Sequence, residues 1–330
     1  MLDVLIIAVV VLALAFDYIN GFHDTANAIA TSVSTRALTP RAAVWLAAGL
    51  NFGGAMYSTG VAKTIGGDIV RSAQMVNEAT IIAAMLGAIA WNLITWWFGI
   101  PSSSSHALVG GLVGAVLVAK GSQGLNPEGI LKIVGSLVFS PVAAMALGVL
   151  VMTALFWVVS RMSPAKVNSK FRRLQILSAA MMSFSHGSND AQKAMGIITL
   201  ALVSAGYLPS LEVPIWVKLA AAISMGLGTA AGGWRIIRTM GGKIFKLEPV
   251  SGFAADLNSS AVIFGATLMH LPVSTTHVVS GSIMGVGAAK RISAVRWGVA
   301  QQMLAAWILT IPCTALASAV AYKVIAVLFL

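Results

Sequence analysis

The sequence predicts an all-α polytopic membrane protein of two inverted repeats, each with a broken helix and a re-entrant helical hairpin, about 12 helical segments in all. Three observations carry that prediction. Of 330 residues, 58% are hydrophobic and 9% charged, against about 25% charged in a soluble domain. Long apolar stretches recur along the chain; roughly 20 apolar residues in a helix span the hydrocarbon core, where helices are the open-chain way to satisfy the backbone. Finally, two polar motifs occur twice. Gly21-Phe22-His23-Asp24-Thr25-Ala26-Asn27-Ala28 is echoed by Gly187-Ser188-Asn189-Asp190-Ala191-Gln192-Lys193-Ala194, and Pro101-Ser102-Ser103-Ser104-Ser105-His106 by Pro272-Val273-Ser274-Thr275-Thr276-His277.

Taken in order, residues 1–37 read as one crossing broken at the first motif, with Met1 to Ala15 retained, since that stretch lacks a basic leader and runs straight into the motif. Residues 77–120 read as a hairpin with Pro101 at its tip. Residues 174–205 repeat the broken crossing, and 251–289 repeat the hairpin with Pro272 at its tip. The spacing Pro101 to Pro272, His106 to His277 and Pro141 to Pro312 is 171 residues each time, whereas Asp24 to Asp190 is 166. The halves are therefore 1–160 and 174–330, joined by the linker 161–173.

Net charge is +11, which in a soluble chain would point to nucleic acid. Here the basic residues gather between apolar segments, where they set orientation, and no nucleic-acid partner is expected. Arg161, Lys166, Lys170, Arg172 and Arg173 make the linker cytoplasmic. The turns at Arg36/Arg41, Arg235/Arg238/Lys243/Lys246 and Lys290/Arg291/Arg296 fall on the same side if each half makes an odd number of crossings. That path inverts the second half and leaves both termini outside, in an inner (plasma) membrane. Cys313 stands alone, which excludes an intrachain disulfide or a cysteine metal cluster.

The motifs divide by chemistry. A carboxylate at a membrane-helix centre costs about 2.5–3.5 kcal/mol; one such Asp often marks an interface or an interhelical hydrogen bond, but Asp24 and Asp190 occupy matched positions. The glycine before each predicts a helix break, with Asp24/Thr25 and Asn189/Asp190 capping the next half-helix. Asn27 shares a face with Asp24, and carboxylate, amide and hydroxyl oxygens suit a small hard cation rather than a transition metal. Pro101 and Pro272 stand where a helix would begin. The hydroxyls and free N–H groups that follow make an anion site at each tip, unless the Ser and Thr residues only cap or allow close packing. His23, His106, His186, His270 and His277 all lie in or beside these motifs, as a proton relay or, more plainly, bonded to the hairpins. Gly110-Gly111 and Gly226-Leu227-Gly228 read as helix contacts, and Trp91, Trp96 and Trp97 as an interface belt. Lys193 stands where the first repeat has Asn27, so it replaces a cation or neutralises a carboxylate.

The motifs Asn20–Ala28, Ser185–Asp190, Ile100–His106 and Leu271–His277 resemble the signatures of the inorganic phosphate transporter (PiT) family, and the likeness covers essentially the whole chain. The resemblance implies a dimeric secondary symporter that imports inorganic phosphate with sodium by alternating access. It implies phosphate at Thr25, Ser103, Ser104, Ser105, Asn189, Ser274, Thr275 and Thr276; sodium at Asp24, Asn27, Asp190 and Gln192; and His23 and His186 as candidates for proton relay. No cofactor is expected. His23 and Gln192-Lys193-Ala194 depart from the commoner family pattern and resemble its bacterial branch, where proton coupling is also known. Proton-coupled transport of phosphate or a metal-phosphate complex is therefore the second reading, and sulfate transport the third. A passive anion channel would need no cation gradient. An intramembrane hydrolase needs one nucleophile and one base, not two symmetric sets, so no enzymatic activity is expected.

Overall fold

The computed structural model describes residues 2–329, and these are helical throughout apart from short connections and one isolated bridge between Val70 and Leu125. The first half holds α1 (Leu2–Ser34), α2 (Pro40–Ala55), α3 (Gly60–Asp68), α4 (Glu78–Phe98), α5 (Ser104–Lys120) and α6 (Pro127–Val159). The second holds α7 (Pro164–Asp190), whose first turns take in most of the stretch 161–173 expected as a linker, then α8 (Gln192–Ser204), α9 (Ile215–Ala231), α10 (Trp234–Gly242), α11 (Pro249–Leu268), α12 (Thr275–Lys290) and α13 (Trp297–Phe329). Four helices among the described residues are long and apolar enough to cross a bilayer: α1, α4, α6 and α13.

Both hairpins form as expected. α4 and α5 pack on each other with Pro101 in the link between them, and α11 and α12 pack around Pro272. Each leads through a short 3-10 turn into a 33-residue helix with an interior proline, Pro141 in α6 and Pro312 in α13. The tips turn alike: Gly99 (φ 65) and His270 (φ 59) both take the left-handed conformation, followed by a residue that its proline keeps out of the helical region.

The halves interleave. α5 lies along α13, and α12 lies along α6, so each hairpin packs on the long helix of the other half. Small residues make this possible. A Cβ at Gly110 or Gly114 would lie 2.5 Å from the Ile311 carbonyl or 2.1 Å from that of Ala315; at Gly281 or Gly285 it would meet the carbonyls of Pro141 (2.5 Å) or Met145 (2.1 Å). Two Gly-xxx-Gly pairs, 171 residues apart, thus serve the two equivalent crossings. Away from these seams, α6 and α13 expose Phe139, Val142, Leu150, Trp157, Ile308, Leu316 and Val327, an apolar surface suited to lipid. Of the expected tryptophan belt only Trp97 is exposed; Trp91 donates to Thr310 Oγ1 (3.0 Å), and Trp96 packs edge-on to Phe22.

The helix breaks are not where the glycines of the first motif place them. α1 runs unbroken through Gly21 to Ser34. α7 continues past Gly187 to Asp190, and Ala191, between α7 and α8, keeps right-handed helical angles (φ −63, ψ −24). Asn189 and Asp190 therefore precede the joint and do not cap α8, and Asp24 and Thr25 lie mid-helix. The glycines are contact points instead. A Cβ on Gly21 would come 2.7 Å from Met225 O on α9, and one on Gly187 would come 2.1 Å from Asn51 O on α2. The wide breaks fall in the next element of each half: between α2 and α3 at Met56–Thr59, and between α9 and α10 at Gly232–Gly233, where the axis bends by 72°. Gly232 has φ 76, which glycine takes without strain. Gly187→Ala is accordingly expected to cost at least about 1–3 kcal/mol through overpacking, read as a lower melting temperature of the purified protein.

Candidate functional site

α1 carries polar residues at Asp17, Asn20, Asp24, Asn27 and Thr31, three or four apart and hence on one face, and all are buried. Opposite them stand the two tips. Ser103 and Ser274 cap α5 and α12, their hydroxyls accepting from the N–H of His106 (3.2 Å) and His277 (3.3 Å). The first N–H groups beyond each cap have no intrahelical partner.

Both tips close on the α1 motif. The Asp24 carboxylate accepts from Ser104 Oγ of the first tip (3.2 Å) and Thr276 Oγ1 of the second (3.1 Å). Asp190 accepts from Thr275 Oγ1 (3.2 Å) and Asn20 Nδ2 (3.3 Å), and faces Lys193 Nζ at 2.9 Å. The tips also touch each other, Ser105 Oγ donating to the Val273 carbonyl (2.7 Å). Asp24, Asp190 and His186 bring a ligand atom each within 4.8 Å of one another. The contacts pair across the halves: Ser104–Asp24 matches Thr275–Asp190, and Lys193 to Ser104 (2.9 Å) matches Asn27 to Thr275 (3.3 Å).

The sites expected from sequence divide accordingly. Asp24, Asn27, Asp190, Ser104, Thr275 and Thr276 meet in this cluster. Ser103 and Ser274 serve as caps beside it, and Ser105 ties the tips together. Thr25 is turned away, its hydroxyl donating to Gly21 O (2.5 Å) and toward Thr229 O (3.3 Å). Gln192 is spent on the Ala62 N–H (3.0 Å) and Ser188 O (2.6 Å), which fastens α8 to α3. Asn189 braces the second tip: Nδ2 donates to Thr267 Oγ1 (3.0 Å) and Leu271 O (3.2 Å), and Oδ1 accepts from Val273 N–H (3.3 Å). Asn189→Ala removes all three bonds, so a loss of about 2 kcal/mol is expected, visible as a lowered melting midpoint.

The histidines separate into two pairs. His23 Nδ1 donates to Asp24 Oδ1 (2.7 Å), and His186 Nε2 lies 3.5 Å from Asp190 Oδ2. His106 and His277 lie side by side with their rings tilted by 43° and their centres 4.6 Å apart, His277 stacks on Trp307, and both histidines border an apolar cavity of about 490 Å³ with Leu137, Pro141 and Trp307. His270, at the tip turn, offers its carbonyl to Thr64 Oγ1 (2.8 Å).

Several buried groups escaped the motif reading. Neither carboxylate oxygen of Asp17, one turn before Asn20, has a protein partner. Asp256 on α11 accepts from Thr31 Oγ1 (2.5 Å) and Ser178 Oγ (3.4 Å), extending the polar face of α1 beyond Asn27. The i, i+3, i+7 spacing from Asp17 was the signal that would have found this stripe.

The cluster gathers two carboxylates, one ammonium, and hydroxyls from two helix starts in a place closed to water. It has the donors to hold an oxyanion and the acceptors to hold hard cations. Comparison with known proteins points the same way. Residues 20–318 match the phosphate transporter family. The chain is 55% identical over 99% of its length, and 98% of the other chain, to a probable low-affinity inorganic phosphate transporter of Bacillus subtilis (strain 168). It is 48% identical over 96% of both chains to one of Rhizobium meliloti (strain 1021). Among solved structures, the sodium-dependent phosphate transporter matches with a TM-score of 0.89 and 28% identity, over 99% of this chain and 100% of the other.

Proposed function

This chain belongs to the phosphate transporter family, and from that premise we propose that it is a sodium-coupled phosphate symporter working by alternating access, its site the cluster where the hairpin tips meet the Asp24 and Asp190 motifs. It is a membrane protein whose function is transport, not catalysis. The sodium-dependent structural relative supports sodium as the coupling ion.

The observation that carries the reading is the double capture of Asp24 by Ser104 and Thr276, which ties a cation ligand to both anion-binding tips at once. In this reading the free N–H groups of the two helix starts and the hydroxyls of Ser104, Thr275 and Thr276 hold phosphate, Ser105 ties the tips together, and Ser103 and Ser274 keep the two helix starts in shape. The carboxylates of Asp24 and Asp190, with the Asn27 amide oxygen, hold sodium. Cation charge offsets the repulsion between phosphate and the carboxylates, so each ligand raises the affinity of the other, which is the reciprocity that coupling requires. The repeats are inverted, so each tip enters from its own side; supporting this are the matched contacts across the halves and the placement of basic turns. The protein works as a homodimer in the plasma membrane with both termini outside.

A second reading rests on a specific contact. His23 donates to Asp24 at 2.7 Å, and His186 stands 3.5 Å from Asp190, so each carboxylate has an imidazole able to exchange a proton with it. Uptake of labelled phosphate into proteoliposomes, with sodium and proton gradients imposed separately, decides between them. Uptake driven by sodium at equal pH supports the first reading, uptake driven by protons without sodium the second, and no uptake with either defeats symport altogether.

A further inference from the structure

Asn27 and Lys193 occupy equivalent places in the two motifs, 166 residues apart like Asp24 and Asp190. The structure gives them equivalent contacts. Asn27 Nδ2 donates to Thr275 Oγ1 of the second tip (3.3 Å), and Lys193 Nζ donates to Ser104 Oγ of the first (2.9 Å). Ser104 and Thr275 are themselves the same position of the two tips, 171 apart. One crossing contact is thus made by a neutral amide and its mirror image by a cation.

The difference has an electrostatic consequence. Asn27 keeps an acceptor in the cluster, since its Oδ1 is buried without a protein partner. Lysine has no acceptor to offer. Its ammonium, fully buried, instead sits 2.9 Å from Asp190 Oδ1, where a bound cation would neutralise that carboxylate. Whatever negative charge the carboxylates and a bound phosphate bring to the tips, Lys193 returns one unit of it, so the loaded site needs one monovalent cation fewer than it would with a neutral side chain there. An amide at position 193 would leave that one further charge to be met.

We infer that Lys193 is a tethered cation filling the ion position of the second half, so that this chain loads one fewer sodium per phosphate than it would with the first half's asparagine there. This rests on the symport reading above. Lys193 thereby sets the ion-to-phosphate ratio.

The test is Lys193→Asn beside the wild type in proteoliposomes, with the number of cations per phosphate taken from the sodium gradient that just balances a fixed phosphate gradient. The variant is expected to move one more sodium per phosphate, and its uptake to depend more steeply on sodium. An unchanged ratio overturns the inference, and an unchanged ratio with weakened phosphate affinity makes Lys193 a phosphate ligand instead. If the variant does not transport, melting curves in sodium chloride against choline chloride decide. Lys193→Asn should be stabilised more by sodium than the wild type, and Lys193→Met, which has neither charge nor oxygen, should not; equal shifts in both variants overturn the inference. A wild type that moves no phosphate under either gradient defeats the symport reading itself, a different outcome from an unchanged ratio.

Discussion

Asp24→Asn is expected to lower phosphate uptake at least about 100-fold while the protein stays folded. The carboxylate is the one group that both tips and a histidine address together, through Ser104 (3.2 Å), Thr276 (3.1 Å) and His23 Nδ1 (2.7 Å). The amide keeps the shape but not the charge, and it sets an NH2 group against donors that need an acceptor. Hydrogen bonds to a charged group contribute about 1.5–3 kcal/mol each, and 1.4 kcal/mol is tenfold in an equilibrium. Losing the cation at this point therefore removes about two decades or more. Proteoliposome uptake under a sodium gradient measures the effect, and a melting temperature close to wild type separates it from misfolding. Uptake within threefold of wild type would remove Asp24 from the ion site.

Asp190→Asn acts differently, because its first victim is stability. Lys193 Nζ has two partners in the protein, Asp190 Oδ1 and Ser104 Oγ, both at 2.9 Å, and is fully buried. Removing one member of a buried ion pair typically costs about 3–5 kcal/mol, since the other charge is stranded. The single variant should express poorly or melt well below the wild type. The double variant Asp190→Asn/Lys193→Met removes both charges and should recover most of that stability while remaining inactive in uptake. Thermal melting of the three proteins in one detergent checks the sign. A double variant no more stable than the single would show that Lys193 is not held by Asp190.

Much of this was legible in the residues. The tips formed around Pro101 and Pro272 because proline and its neighbour resist helix there, and the hydroxyls after them became the caps and contacts that a helix start demands. The pairing of Asp24 with Asp190 followed from their repetition in a membrane chain, where a lone accident is improbable. The helix breaks were not legible at Gly21 and Gly187. Glycine in a helix serves either to bend it or to let another helix approach, and the choice is made by Met225 and Asn51, which lie far along the chain. Thr25 and Gln192 were misdirected for a related reason. Both sit in the right motif, but which way each points depends on the rotation of α1 and α8 against α9 and α3. Asp17 and Asp256 lay outside the repeated words altogether: the three-and-four spacing along α1 joins Asp17 to the rest, and Asp256 on α11 meets the stripe only through Thr31.

The interleaving of α5 with α13 and of α12 with α6 bears on how the protein is made. When the ribosome has delivered the first half, the groove that receives α5 does not yet exist, and Ser104 and Asp24 have no second tip to close over them. A polar helix start and a carboxylate must wait in the bilayer, or at its rim, for nearly half the time of synthesis. The first hairpin has its full packing, and the site its second tip, only once α12 and α13 are in place.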